Sequence, residues 1–306
     1  MQKIYQKTIS ERIDFKGIGL HSGIEVSLKI KPSQPNTGII FKRTDKKNNN
    51  IISADFQNVI DPVLCTKLEN KNGVSISTVE HLMAAFYGEG IDNALVEVDG
   101  PEIPIMDGSA VDFVDAIRSV GMEEQNELRK FIKVLKKVEV QDGKKFISIE
   151  PLKQDLIIDF ELVYNNPLIR TRRKEFKLSN DDLTAIYNSR TFCLYEDIDN
   201  IKRMGLAKGG SLDNAIVVQG EKILNENGLR NRHEFVYHKI LDCLGDIMLS
   251  GNRIFGHIKT SQGGHALTNK LLKKFFSDKS NWRFEKFDKA DRQNQNSSEN
   301  SVAIGA

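Results

Sequence analysis

The sequence predicts an α+β protein that is built from two halves of like topology. Each half opens with short segments in which apolar and polar residues alternate, which is typical of β-strands, as in 24–32 and 156–164. Each half then continues with an amphipathic helix, an apolar strand, a glycine-bearing loop and a second helix. Gly108 lies 27 residues after His81, and Gly264 lies 26 residues after His238. This repeated order indicates a weak internal duplication.

Length and composition are typical of a soluble globular protein with two domains. A chain of 306 residues is too long for one ordinary core. We expect an N-terminal domain at 1–124, a C-terminal domain at 128–280, and a polar, disordered tail at 281–306. Hydrophobic residues make up 39% of the chain and charged residues 28%. A net charge of +2 is too small to indicate a nucleic-acid partner.

Nothing in the sequence predicts secretion or a membrane span. The first residues, MQKIYQKTISERID, lack the apolar core of a signal peptide. No apolar run approaches the ~18 residues that a membrane-spanning helix needs. Cys65, Cys193 and Cys243 are odd in number and far apart, so they predict neither a disulfide framework nor a metal knuckle. The expected location is the reducing cytoplasm.

A histidine and an aspartate on one predicted helix form the clearest candidate metal site. His238 and Asp242 are four residues apart in EFVYHKILDCLGD, so their side chains lie on one face, one turn apart. An imidazole and a carboxylate can share a metal ion, although such a pair is ordinarily a surface ion pair. A catalytic metal commonly has three protein ligands. His81 is the best third ligand, because its helix is the counterpart of the first and it follows an acidic residue.

Two further residues have the chemistry of a general base and a general acid. Glu80 would sit beside the metal without being a ligand, where it can take a proton from bound water. The ordinary alternative is an acidic residue at a helix start. His265 follows two glycines at the start of a helix and can protonate a leaving amine, with Asp246 raising its pKa. The alternative is a histidine that only caps its helix.

Thr191 and Lys239 complete the residues that the sequence singles out. Thr191 in SRTF can donate a hydrogen bond to a developing oxyanion, or be a plain turn residue. Lys239 points about 100° around the helix from His238. This places its cation at the edge of the site, where it suits a phosphate or an acidic sugar.

The sequence contains, in this order, the motifs GIGLHSG, STVEHLMAAF, GIDNALVEVDGPEIPIMDGSA, SRTF, GGSLDNAIVV, LNENGLR, EFVYHKILDCLGD and GGHALTNKLL. Together they resemble the bacterial UDP-3-O-acyl-N-acetylglucosamine deacetylase family, which acts early in lipid A synthesis. The resemblance covers nearly the whole chain to about residue 276. No single motif is specific, but the ordered set is.

The resemblance implies a zinc hydrolase that removes acetate from the 2-amino group of an acylated UDP-sugar, with Fe²⁺ as a possible alternative metal. It implies helices layered between two sheets. It also implies an insert at about 195–220 that forms an apolar passage for the fatty acyl chain, although NAIVV can equally be a buried strand. We expect a monomer with at most peripheral membrane contact. The implied roles are zinc ligands for His81, His238 and Asp242; general base for Glu80; general acid for His265, oriented by Asp246; oxyanion contact for Thr191; nucleotide-sugar and acyl contacts for Lys239 and Phe192; and passage lining for Ile198, Ala215 and Val217.

Two other classes of protein fit parts of the pattern. Two histidines and one carboxylate also form the facial triad of iron(II) oxygenases, but those enzymes usually carry the ligands on strands. A non-catalytic carbohydrate or lipid binder with a structural metal would close the coordination with a fourth protein ligand. No obvious fourth ligand occurs in the sequence.

Overall fold

The structure is a computed structural model that describes residues 5–286, which contain six α-helices and twenty strands. The helices are α1 (Glu80–Glu89), α2 (Val111–Val120), α3 (Thr184–Tyr187), α4 (Ile198–Arg203), α5 (Glu234–Met248) and α6 (His265–Ser277). The strands are β1 (Tyr5–Ile9), β2 (Ile13–Ile18), β3 (Glu25–Pro32), β4 (Ile39–Arg43), β5 (Ile51–Ser53), β6 (Val59–Ile60), β7 (Lys67–Glu69), β8 (Ser75–Ser77), β9 (Ala94–Val98), β10 (Met122–Leu128), β11 (Phe131–Val134), β12 (Val138–Asp142), β13 (Lys145–Pro151), β14 (Leu156–Leu162), β15 (Arg172–Lys177), β16 (Phe192–Leu194), β17 (Ile216–Gln219), β18 (Lys222–Ile223), β19 (Arg253–Ser261) and β20 (Trp282–Glu285).

The two halves share one sheet topology, which confirms the predicted duplication. In the first half the strand order is β2-β3-β9-β4-β5, and only β9 and β4 are parallel neighbours. In the second half the equivalent order is β12-β13-β19-β14-β15, and only β19 and β14 are parallel within it. Strands β11 and β20 extend the second sheet alongside the first residues of β19. Each half also inserts a small three-stranded sheet before its first long helix. The α+β class is therefore correct.

The long helices form a layer between the two sheets, as the resemblance implied. Helix α5 packs on β14 and β15, and α6 packs on β12 and β13. Helix α2 contacts β2, and α1 packs against both α2 and α5. Gly245 allows the close approach of α5 to α1, because a Cβ at this position would lie 2.0 Å from the carbonyl oxygen of Glu80. This approach brings the first turn of α1 beside the polar face of α5.

The polar segment at 123–130, where the two expected domains meet, is mostly a strand. Residues Met122–Leu128 form β10, which pairs antiparallel with β1. Charged side chains at 123, 124 and 127 face solvent while the backbone of the segment is hydrogen-bonded, so polarity alone was misleading. The domain boundaries that we expected at 124 and 128 fall within this strand.

The expected tail at 281–306 begins too early. Residues Trp282–Glu285 form β20, which pairs antiparallel with β11. The ring of Trp282 is buried and packs edge-on against Phe276, which anchors this strand although its other side chains are exposed or half-buried. Residues 287–306 lie outside the described part of the chain. Within residues 5–286, no helix is long and apolar enough to cross a membrane.

Candidate metal centre

Three buried side chains from the two packed helices converge on one point. His81 lies in the first turn of α1, and His238 and Asp242 lie one turn apart on α5. The Nε2 atoms of His81 and His238 lie 3.6 and 3.4 Å from Oδ1 of Asp242. All three ligand atoms lie within 4.8 Å of one another. Tetrahedral Zn²⁺ with bonds of 2.0–2.2 Å separates its ligand atoms by about 3.3 Å, so this spacing fits a zinc ion.

The Asp242 carboxylate has one oxygen that no group in residues 5–286 satisfies. Its Oδ1 is buried and accepts no hydrogen bond, although an unpaired carboxylate oxygen is costly in a protein interior. Its Oδ2 accepts a hydrogen bond of 2.6 Å from the ammonium of Lys239. Burial opposes ionisation, but the ammonium of Lys239 holds the pKa of Asp242 well below its usual range. Oδ1 is therefore an anionic ligand atom that fits a cation.

His238 is oriented and kept neutral, as a metal ligand requires. Its Nδ1 lies 3.1 Å from the carbonyl oxygen of Ser189. Because a carbonyl oxygen only accepts, Nδ1 carries the proton and the lone pair of Nε2 faces Asp242. Burial lowers the pKa of His238 to about 3, despite the nearby Asp242 carboxylate. A hydrogen bond from the distal ring nitrogen to a carbonyl is the usual support for a metal-binding histidine.

A second cluster of possible metal ligands lies on the second sheet, and it is less suited to an ion. Asp159, Glu175 and His257 also offer ligand atoms within 4.8 Å of one another. However, both oxygens of Asp159 accept hydrogen bonds from the guanidinium of Arg173, and Glu175 is exposed. The Asp159 carboxylate is thus already neutralised, whereas Oδ1 of Asp242 is not.

Glu80 and His265 lie next to the candidate ligands, within one hydrogen-bonded network. Oε2 of Glu80 accepts from the backbone N–H of Thr66 at 3.0 Å, and its Oε1 lies 3.9 Å from Nε2 of His265. Nδ1 of His265 lies 2.9 Å from Oδ2 of Asp246. Burial raises the pKa of Glu80. Burial opposes the charge of His265, but Asp246, Glu80 and Asp242 together raise its pKa to about 9.

Thr66 is a member of this network that the sequence did not indicate. Its hydroxyl donates a hydrogen bond of 2.5 Å to Oδ1 of Asp246 and lies 3.0 Å from Nδ1 of His265. Thr66 therefore holds both Glu80, through its backbone, and the Asp246–His265 pair, through its side chain. It lies 180 residues from Asp246 in the chain, and no local motif marks it.

A cavity of about 540 Å³ opens onto the three candidate ligands. Thr191, Phe192 and Lys239 also line it, with Glu80 and His265. Thr191 is fixed through its backbone, because its N–H donates to Gly108 O at 2.8 Å. The ammonium of Lys239 lies 2.6 Å from Oδ2 of Asp242, three residues further along α5, so Lys239 lines the cavity while it is paired with a candidate ligand.

A second cavity, of about 380 Å³, adjoins the first and is lined mainly by apolar groups. Ile198, Ala215 and Val217 line it, so the structure brings all three predicted passage residues together. Phe192 lines both cavities and stands at their junction. Between the lining residues Ala215 and Val217, Ile216 is fully buried, so alternate side chains of this segment face the cavity and the core.

The chain is similar to known proteins along most of its length. The model of the family described as LpxC, UDP-3-O-acyl N-acetylglycosamine deacetylase, matches residues 6–277. The chain is 44% identical to the UDP-3-O-acyl-N-acetylglucosamine deacetylase of Actinobacillus succinogenes and 44% identical to that of Pasteurella multocida. It is 42% identical to that of Haemophilus ducreyi. Each alignment covers 93% of this chain and 94% of the relative. The chain therefore belongs to the UDP-3-O-acyl N-acetylglycosamine deacetylase family.

Proposed function

We propose that the chain is a zinc-dependent hydrolase that removes the N-acetyl group from UDP-3-O-acyl-N-acetylglucosamine and releases acetate, an early step of lipid A synthesis. The names of its relatives support the substrate. The observation that carries the chemistry is the unpartnered Oδ1 of Asp242 between two histidine Nε2 atoms. Two imidazoles and a carboxylate suit Zn²⁺, and the same donors also suit Fe²⁺.

His81, His238 and Asp242 would hold the metal, which supplies a Lewis acid that acidifies water and polarises the amide carbonyl. Glu80 takes the proton of the attacking water, because it lies beside the three metal ligands and is not itself a ligand. Its burial raises its pKa toward the working pH and makes it a stronger base. Its contact with the Thr66 N–H fixes the carboxylate in place.

His265 protonates the departing amine, and Thr191 donates a hydrogen bond to the oxygen on which negative charge develops. Asp246 keeps His265 protonated through the contact of 2.9 Å between them. The base and the acid thus work in opposite protonation states, and both face one cavity. The 2-amino group of the sugar leaves as a neutral amine, and the oxygen atom of the water is incorporated into the acetate.

The larger cavity would hold the sugar and its nucleotide, and the apolar cavity would hold the acyl chain. Lys239 stands on the cavity wall beside Asp242, where it can also face an anionic part of the substrate. Phe192 separates the two spaces. We also expect a cytoplasmic monomer that binds no nucleic acid and makes at most peripheral contact with a membrane.

The two alternatives lack support from any particular observation. The ligands come from two helices, whereas an oxygenase of the facial-triad type usually takes them from strands. For a structural metal, a fourth side chain should close the site, and among residues 5–286 only three side chains make up this group.

Metal removal tests the proposed function directly. We expect the purified protein to release acetate from UDP-3-O-acyl-N-acetylglucosamine, to lose this activity after dialysis against a chelator, and to regain it with one equivalent of Zn²⁺ or Fe²⁺. Mg²⁺ is the control and should not restore activity, because it prefers oxygen ligands. Full activity in protein freed of transition metals would contradict the proposal.

Narrowing the apolar cavity should weaken binding of long acyl chains selectively. Ala215→Phe places a ring in this space, and displacing two methylenes from an apolar site costs about 1.6 kcal/mol, or about tenfold in KM. The same variant assayed with a substrate that carries a short 3-O-acyl group is the control and should keep its KM. An equal rise of KM for both substrates would contradict the assignment of the passage.

A further inference from the structure

We infer that the buried ion pair of Arg190 and Glu234 is a positioning device for the metal ligand His238 and for Thr191. The inference rests on the proposed function, because it assigns these residues a role at that metal centre. Neither residue touches the cavity that would hold the substrate, since neither is among the residues that line it. They would act through the segment 189–191.

Glu234 anchors this segment to the helix that carries the ligands. It is the first residue of α5, it is fully buried, and it lies one turn before His238 on the same face. Its Oε1 accepts from Nε of Arg190 at 2.8 Å and from the backbone N–H of Arg190 at 3.2 Å. The carboxylate thus binds both the side chain and the main chain of one residue.

The residues on either side of Arg190 both reach the centre. Before it, the carbonyl oxygen of Ser189 accepts the Nδ1–H of His238 at 3.1 Å and so fixes the orientation of that ring. After it, Thr191 lines the cavity, with its N–H bound to Gly108 O. A shift of the Arg190 backbone would therefore move both the Ser189 carbonyl oxygen that orients His238 and the side chain of Thr191.

The same carboxylate also connects the segment to the first half of the molecule. Oε2 of Glu234 accepts the backbone N–H of Arg230 at 2.7 Å. The guanidinium of Arg230 lies 2.7 Å from Oδ2 of Asp107, which directly precedes Gly108. The pair therefore sits at the point where both halves contact the segment that carries Thr191.

Stability alone does not account for such a pair. Two buried charges of this kind can often be replaced by apolar residues of similar volume without loss of stability, whereas removal of one partner strands the other charge. The double variant Arg190→Met/Glu234→Leu removes both charges at once and keeps similar volumes. Because no charge is left unpaired, the double variant separates an effect on the position of His238 from an effect on folding. It can be assayed even if the single variant Glu234→Gln does not fold.

The experiment compares Zn²⁺ affinity, kcat and KM in the wild type and in the double variant. We expect the affinity for Zn²⁺, measured by competition with a chromogenic chelator, to fall about 10–100-fold, as for lost support of a metal ligand. We expect kcat to fall and KM to stay constant. In the zinc-free proteins, nitrogen NMR of the histidine rings should show a slowly exchanging Nδ1–H of His238 in the wild type and faster exchange in the variant.

Arg129→Met is the matched control. Arg129 is a buried arginine that pairs with Asp92 beside a different cavity, so its removal should lower the melting temperature and leave Zn²⁺ affinity unchanged. Arg190→Lys keeps a cation beside Glu234, so its affinity for Zn²⁺ should lie between those of the double variant and the wild type. Wild-type affinity, kcat and Nδ1–H protection in the double variant would overturn the inference. A wild type that binds no Zn²⁺ would instead overturn the proposed function, and the NMR comparison would still decide the positioning role.

Discussion

Replacing Glu80 with glutamine is expected to lower kcat by about 10²–10⁴-fold, because the variant loses the group that takes the proton from water. Glutamine keeps the volume of the side chain, and its carbonyl oxygen can still accept the N–H of Thr66. It cannot accept a proton at the working pH. Since Glu80 is not among the three ligands, the variant should keep its metal. Initial rates of acetate release and elemental analysis of the same samples measure both effects.

A control on the same helix separates this effect from a general disturbance of α1. Glu89 lies at the end of α1 and pairs with Arg118, away from the cavity that holds Glu80. Glu89→Gln should retain the wild-type rate. If Glu80→Gln turned over at the wild-type rate with its metal bound, Glu80 could not be the base.

The second large effect is expected at His265. His265→Gln removes the proton donor and should lower kcat by about 10²-fold or more. The wild type should show a bell-shaped dependence of rate on pH. The rate rises as Glu80 loses its proton, and it falls as the pH passes through the pKa of His265, which its carboxylate neighbours raise to about 9. Above this pKa His265 is deprotonated and cannot donate a proton to the leaving amine.

Asp246→Asn tests the origin of the alkaline limb. Without the carboxylate at 2.9 Å, the pKa of His265 falls, so the proton is lost at lower pH and the limb moves to lower pH. The acidic limb should move less, because Glu80 lies against His265 and Thr66 and makes no hydrogen bond to Asp246. Rates measured from pH 5 to 10 show the shift. An alkaline limb that stayed in place would mean that another group supplies the proton.

The duplicated fold was predictable because its signals are local. Helical periodicity, a following apolar strand and a glycine loop recur at nearly the same spacing after His81 and His238, and the two sheets indeed share one strand order. The candidate ligand pair on α5 followed from helix geometry alone. The third candidate, His81, required the correspondence between the halves, because nothing near His81 in the chain points to His238.

Contacts between distant segments could not be predicted in this way. Thr66 meets Asp246 only after both halves have folded, and a threonine before a short strand carries no local signal. Lys239 has a flexible side chain, so helix geometry gave the direction of its Cβ but not the position of its ammonium group. Glu234 had a usable signal, since it extends the series of His238, Asp242 and Asp246 by one more turn toward the start of α5.

The central side chains of β10 are polar while its backbone is paired, so the sequence pattern does not indicate a strand there. Residue patterns report what side chains face, whereas a sheet edge is defined by main-chain hydrogen bonds. The same difference applies to β20, where only Trp282 is buried and the other side chains of the strand are exposed or half-buried.

Anomalous diffraction at the zinc absorption edge, from crystals of the Zn²⁺-loaded protein, tests the central claim most directly. The account predicts one strong peak about 2.0–2.2 Å from Nε2 of His81, Nε2 of His238 and Oδ1 of Asp242. A peak confined to the cluster of Asp159, Glu175 and His257, or none between the two helices, would contradict it.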